Sequence, residues 1–209
     1  MLRLVRTATI LVGVFSVLLG VIYPLVITGI AQLVFRPRAN GSLLKVRDRA
    51  VGSEMIAQPF RRPDYFHPRP SDCGYDAVHS GSANLGPSNP ALLMQAQARA
   101  DTVRRENGLS DTAAVPADLA LASSSGLDPD ISPAAARLQT GRVARNRGLE
   151  PSAVEQLVGA RTSRPFLGVF GRPLVNVLKL NLALDSMSGK EPGLRDSNSE
   201  ARSPSPAAQ

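Results

Sequence analysis

Scarcity marks this chain more than abundance does. It has one cysteine, Cys73, two histidines and no tryptophan. A single cysteine excludes a disulfide framework within the chain, and with two histidines it excludes a Cys₄ or Cys₂His₂ zinc site. At 4% aromatics, modules that stack bases on aromatic platforms are disfavoured. Lysine is nearly absent too: of 24 basic residues 21 are arginine, against 17 acidic ones, for a net charge of +7. Charge is missing altogether from Thr7 to Phe35, a run of 29 residues bounded by Arg6 and Arg36.

As a helix rising about 1.5 Å per residue, that run is long enough to cross a ~30 Å hydrocarbon core. A cleavable signal peptide ending near Gly29-Ile30-Ala31 is the competing reading, but an apolar stretch of this length far exceeds a signal's core. The expectation is therefore an uncleaved transmembrane helix over 7–35, after a short N-terminal tail, 1–6. Gly13, Ser16 and Gly20 fall on one stripe of small residues, where a second helix could approach closely. Basic residues flank both ends: Arg3 and Arg6 before, Arg36, Arg38, Lys45, Arg47 and Arg49 after. A count of them favours a cytoplasmic C-terminal side, yet long domains cross membranes largely regardless of such charges.

At the other end, residues 186–209 are Ser, Pro, Gly, Ala and scattered charge with no apolar period, and read as a disordered tail. Between lie residues 36–185, the size of one domain with its own core. Their basic excess is thin, with clusters only at Arg61-Arg62, Arg104-Arg105 and Arg142-Arg145-Arg147. These read as solvated helix faces and helix ends rather than a nucleic-acid surface.

Asn89-Pro90 with Gly108, and Ser132-Pro133 with Gly148, frame two helices, and Pro151 starts a third. Leu93, Ala96, Ala100 and Val103 give the first its apolar period. Strand signals occur at Leu43–Val46, Leu119–Ala122 and Phe166–Phe170. Leu174–Leu180 alternates like a strand, while Asn181–Asp185 is equally compatible with a helical turn. Helices and strands mix without a βαβ repeat, so the fold class expected is α+β, or irregular α/β, preceded by the single N-terminal helix.

No phosphate loop, nucleophile elbow or H-E-x-x-H motif is present. His67, Cys73 and His79 are spaced evenly with Asp72 and Asp76 between, a spacing that matches no metal-ligand pattern. Ser123-Ser124-Ser125-Gly126 could form a backbone nest for phosphate, or simply a turn.

The chain resembles the C subunit of the Kdp-type potassium-transporting ATPase, the KdpC family. The resemblance rests on Asn40-Gly41-Ser42, Gly52-Ser53, Tyr65-Phe66-His67 with Arg69-Pro70-Ser71, Ser82 with Asn84-Leu85-Gly86, and Ser88-Asn89-Pro90. It continues through Ser125-Gly126-Leu127-Asp128-Pro129, Ile131-Ser132-Pro133-Ala134-Ala135, Arg142-Val143-Ala144, Val175-Asn176-Val177-Leu178 and Leu180-Asn181, with Ala183-Leu184-Asp185. These occur in family order over about residues 5–185. Departures fall at Leu121, Asp130 and Thr140-Gly141, and bear on polar roles of that central region.

The resemblance implies a non-catalytic accessory subunit of an ATP-driven potassium uptake pump. Its partners would be a P-type ATPase subunit, a channel-like K⁺-translocating subunit and the lipid bilayer, with no nucleic acid. It would be a single-pass protein of the bacterial inner membrane, with residues 36–185 extracytoplasmic. The subunit would stabilise the complex and raise the catalytic subunit's affinity for ATP; no cofactor or metal is expected on the chain itself, and ATP enters only through the complex. Ser123, Ser124, Ser125, Gly126 and Gln139 are the nucleotide-associated candidates. The assembly role is preferred, because an extracytoplasmic domain does not meet cytoplasmic ATP. The alternative is a membrane-anchored enzyme or binding module using His67 and Cys73.

Overall fold

Leu2–Val34 is helical throughout and is the one helix among the described residues long and apolar enough to cross a membrane. The computed structural model describes residues 1–165 and 168–189. The long helix consists of α1 (Leu2–Val17), a π-helical turn (Leu18–Ile22) and α2 (Tyr23–Val34). Pro24 explains the irregularity. It has no N–H for the Gly20 carbonyl and its ring crowds that carbonyl, so the helix widens one turn earlier. There the Tyr23 N–H donates to the Leu18 carbonyl, five residues back. A short helix, α3 (Arg36–Ala39), follows.

The chain divides into two compact units, Met1–Leu43 and the residues from Leu44 onward. A hairpin comes first after the helix: β1 (Leu43–Val46) pairs with β2 (Arg49–Ser53). Arg47 and Asp48 between them both have positive φ, 48° and 62°, as a tight two-residue hairpin turn requires. Residues 54–89 then run without helix or strand.

α4 (Pro90–Asn107) and α6 (Pro133–Arg147) have the ends their sequences predict. Asn89 and Ser132 accept N–H bonds from Ala91 and Ala135, and Gly108 and Gly148 close the helices in the left-handed conformation. α7 (Pro151–Arg161) packs on α6, and α8 (Val177–Ser188) packs on α7. A small antiparallel sheet joins β3 (Asp130–Ile131), β5 (Leu174–Asn176) and β4 (Thr162–Ser163), with β5 central. The architecture is α+β.

Several local expectations change. Leu119 and Ala120 belong to a helical turn, α5 (Ala117–Ala120), not a strand. Asp118 of that turn accepts both the Ser132 N–H and its hydroxyl, tying α5 to the cap of α6. Of the strand read at 166–170, Phe166 and Leu167 lie outside the described residues, and Gly168 and Val169 form a turn. The alternating run from Leu174 stops being a strand after three residues. Asn176 accepts the Lys179 N–H and starts α8, which buries Val177, Leu180, Asn181, Leu184 and Asp185 at helical spacing. α8 continues to Ser188, into the segment read as tail, whose residues 190–209 lie outside the described ones. In α4 the apolar period holds at Ala100, which is buried, but leaves Leu93 64% exposed.

The core gathers Phe60 and Phe66 from the irregular segment, Val143 from α6, Val154 and Val158 from α7, and Leu180 and Leu184 from α8.

Candidate functional site

Tyr65 and Phe66 are almost completely buried, yet belong to no sheet. A buried stretch without ladder partners must find others for its peptide groups. The helices supply them from their side chains. On α8, Asn181 accepts the Phe66 N–H at 2.9 Å and donates to the Phe66 carbonyl at 3.0 Å. On α6, Gln139 accepts the His67 N–H at 2.8 Å and donates to the His67 carbonyl at 3.1 Å. Arg142, also on α6, donates to the carbonyls of Pro63 at 2.6 Å and Tyr65 at 2.9 Å. Arg147, its side chain fully enclosed, donates to the Asp64 carbonyl at 2.7 Å, pairs with Asp185 at 2.7 Å and lies 4.6 Å from the centre of the Tyr65 ring.

Arg142 and Arg147 are therefore not the solvated helix charges that their cluster suggested; of the three arginines only Arg145 is exposed. Arg142 completes its bonds with the Asn107 and Gln139 side-chain oxygens, at 3.1 and 2.7 Å, so every acceptor it contacts is neutral. Burial lowers its pKa to about 10, which leaves the guanidinium charged at neutral pH. Burial pushes the Asp185 carboxyl up, against the opposing pull of Arg147 and a hydrogen bond from the Tyr65 hydroxyl.

Beside this assembly lies a cleft of 490 Å³ between α4 and the irregular segment. Phe60, Pro68, Pro70, Tyr75, Val103 and Leu119 supply its apolar lining, and Arg61, His67, Arg99, Glu106, Asn107 and Gln139 its polar groups. His67 Nδ1 is 3.4 Å from the Glu106 carboxylate, while Nε2 is 3.1 Å from the Arg62 carbonyl. The hydrogen bond from His67 holds the Glu106 carboxyl below its ordinary value. Arg99 pairs with Asp72 at 2.7 Å. Tyr75 donates its hydroxyl to the Arg69 carbonyl at 2.8 Å, and burial pushes its pKa up to about 12.

The other sequence candidates occupy different places. In the Ser123–Gly126 turn, the Ser125 carbonyl accepts from the Gly81 N–H and the Ser80 hydroxyl, and the Gly126 N–H donates to the Ser123 carbonyl. Ser123 is buried, whereas Ser124 and Ser125 are exposed. Gly126 takes a φ of +67°, and a Cβ there would meet Cys73 Sγ at 2.4 Å. Cys73 and His67 have different neighbours. The thiol sits by Ser71 Oγ at 3.3 Å and the Ser125 carbonyl at 3.8 Å, and no hydrogen bond links it to the His67 ring. The Ser71 bond draws the Cys73 pKa down. His79 is an exposed surface side chain paired with Asp76 at 2.7 Å. Among the described residues no three His, Cys, Asp or Glu side chains are grouped to hold a metal ion.

Gly13 and Ser16 lie in α1 and Gly20 in the π turn. Among the described residues, and leaving aside the helix's own neighbouring backbone, nothing comes within 4 Å of a Cβ placed at Gly13 or Gly20.

Residues missed in the sequence are Asn107, Arg142, Arg147, Asn181 and Asp185. Polar side chains on otherwise apolar helix faces at Asn181 and Asp185 were the available signal.

The family model described as K⁺-transporting ATPase, c chain, matches residues 5–186. A potassium-transporting ATPase KdpC subunit of Beijerinckia indica is 51% identical over 188 residues, 89% of this chain and 95% of that protein. One of Gemmatimonas aurantiaca is 48% identical over 198 residues, 93% of this chain and 98% of its own. The subunit of Rhodospirillum rubrum is 50% identical over 187 residues, 88% and 96% of the two chains. With a family match spanning nearly all of the chain ahead of residue 187, and relatives at about half identity over most of their length, this chain belongs to the KdpC family.

Proposed function

We propose that the chain is a non-catalytic accessory subunit of an ATP-driven potassium uptake pump, anchored in the bacterial inner membrane by the Leu2–Val34 helix. It stabilises the complex between a P-type ATPase subunit and a K⁺-translocating subunit, with the domain after the helix on the extracytoplasmic side. The observation that carries this reading is the correspondence of residues 5–186 to the c chain of K⁺-transporting ATPases. The helix supports it: its side chains are exposed along nearly the whole length, which suits contact with lipid and with helices of other subunits.

Any rise in the catalytic subunit's ATP affinity follows, on this reading, from holding that subunit in the assembly. The amide oxygen of Gln139 accepts from both His67 and Arg142, and its nitrogen donates to the His67 carbonyl, which favours a structural role for it over contact with nucleotide. The polar groups of the Ser123–Gly126 turn similarly hold the 71–81 segment.

The test is co-expression of the two partner subunits with and without this chain. An intact, K⁺-stimulated ATPase recovered from detergent only when the chain is present is the expected result. Equal recovery and equal ATP-dependent K⁺ uptake without it would refute the assembly role.

A further inference from the structure

The cleft beside His67 has the dimensions and lining of a small-molecule site: 490 Å³, within the range of about 300–1,000 Å³ that such sites occupy, mostly apolar with a few placed polar groups. Its charges are unevenly matched. Arg99 is paired with Asp72, and the Glu106 carboxylate accepts a hydrogen bond from His67. Arg61 lines the same cleft, exposed, with no carboxylate or hydrogen-bond partner among the described residues. Behind the wall, Arg142 is bonded to Asn107 and Gln139, both cleft residues, and contacts only neutral acceptors. The carboxylates of Glu106 and Asp64, which it does not touch, act on its charge through space, so Arg142 adds no free cation to the cleft. Arg61, Arg99 and Tyr75 line this same cleft.

We infer that this cleft binds a small organic monoanion, with its carboxylate on Arg61 and an apolar or aromatic body against Phe60, Pro68, Val103 and Leu119. One free cation balances one negative charge. Glu106, held ionised on the same wall, repels a ligand more strongly as that ligand's charge grows. The cleft is therefore a poor host for a polyphosphate. This inference is independent of the assembly role.

Fluorine NMR on the full chain in detergent tests it, with 4-fluorobenzoate as the probe and chain-free micelles as the blank. The benzoate signal should broaden saturably in the presence of the chain, while neutral 4-fluorobenzamide should bind about tenfold more weakly. Arg61→Gln should weaken benzoate binding by about tenfold, and Ala98→Phe, at an exposed position lining the cleft, should abolish it. Arg137→Gln, an exposed arginine that is not among the cleft residues, should leave binding unchanged. Benzamide binding as well as benzoate, an Arg61→Gln variant equal to the parent, or broadening that persists in Ala98→Phe would each overturn the site. Displacement of benzoate by ATP at lower concentration than by benzoate itself would overturn the assignment to a single charge.

Discussion

Gln139 and Asn181 grip consecutive peptide units from two different helices. Gln139 on α6 closes both hydrogen bonds of His67, and Asn181 on α8 closes both of Phe66. Each amide supplies to the irregular segment the donor–acceptor pair that a neighbouring strand would supply in a sheet. The Tyr65-Phe66-His67 motif thus acts as a buried strap across the helices.

Replacing either amide by leucine removes both of its hydrogen bonds to the strap and leaves a buried N–H and C=O without partners, at about 2–4 kcal/mol. Gln139→Leu and Asn181→Leu should each lower the urea midpoint by the corresponding amount. Because both hold one strap, the double variant should cost less than the sum of the two. Strict additivity would show that the two grips act independently.

Gly126→Ala should destabilise by about 1–3 kcal/mol. The left-handed φ of +67° strains any side chain, and the added Cβ meets Cys73 Sγ, the Gly81 carbonyl at 2.9 Å and Ser71 Oγ at 3.0 Å. Displacement of the 71–81 segment should also quicken the reaction of Cys73 with maleimide. A parent-like midpoint and labelling rate would show that the turn adjusts freely.

Acid stability should depend on Glu106 and Asp72. The His67 hydrogen bond lowers the Glu106 pKa below its ordinary 4.5, and the Ala83 N–H lowers that of Asp72 below 3.8, followed by smaller help from Arg99. Both carboxyls are depressed on folding, so their contribution is present above those ordinary values and is lost as pH falls through the lower folded ones. Glu106→Gln with Asp72→Asn should flatten the acid limb of a stability–pH curve below about pH 5. Asp130 and Asp185, raised by burial, act with the opposite sign. Their contribution is greatest at low pH and is lost as pH rises through their folded pKa. An unchanged acid limb in the double variant would contradict the assignment to Glu106 and Asp72.

In the Leu2–Val34 helix, Gly13→Leu with Gly20→Leu should reduce co-purification with the proposed partner subunits, because a leucine at either site holds a neighbouring helix away. Among the described residues nothing outside the helix's own backbone lies within 4 Å of either position. Undiminished recovery of the complex would place the helix contact on another face.

Orientation can be read from a thiol. A membrane-impermeant maleimide should label Ser124→Cys, exposed in its turn, in intact spheroplasts when Cys73→Ser removes the natural thiol. Labelling only after lysis would place the domain in the cytoplasm and contradict the proposed topology.

The N-terminal helix and the ends of α4 and α6 were legible in the residues alone, because their causes are local. A charge-free run of 29 residues suffices for the first. For the others, a capping side chain, a proline and a left-handed glycine act on backbone within a turn or two. The resemblance to the family was likewise carried by short motifs in order. Tertiary structure decided what depends on partners remote in the chain. Leu174–Leu180 alternates like a strand, but Asn176 caps a helix and fastens it to the Glu54 carbonyl and Asp130, 122 and 46 residues away. Arg142 and Arg147 read as solvent charges until the irregular segment lies across α6 and presents carbonyls to them. The grips of Gln139 on His67 and of Asn181 on Phe66 span 72 and 115 residues. No periodicity encodes such pairs, because a buried peptide group selects its partner by position in the folded chain and not by distance along the sequence.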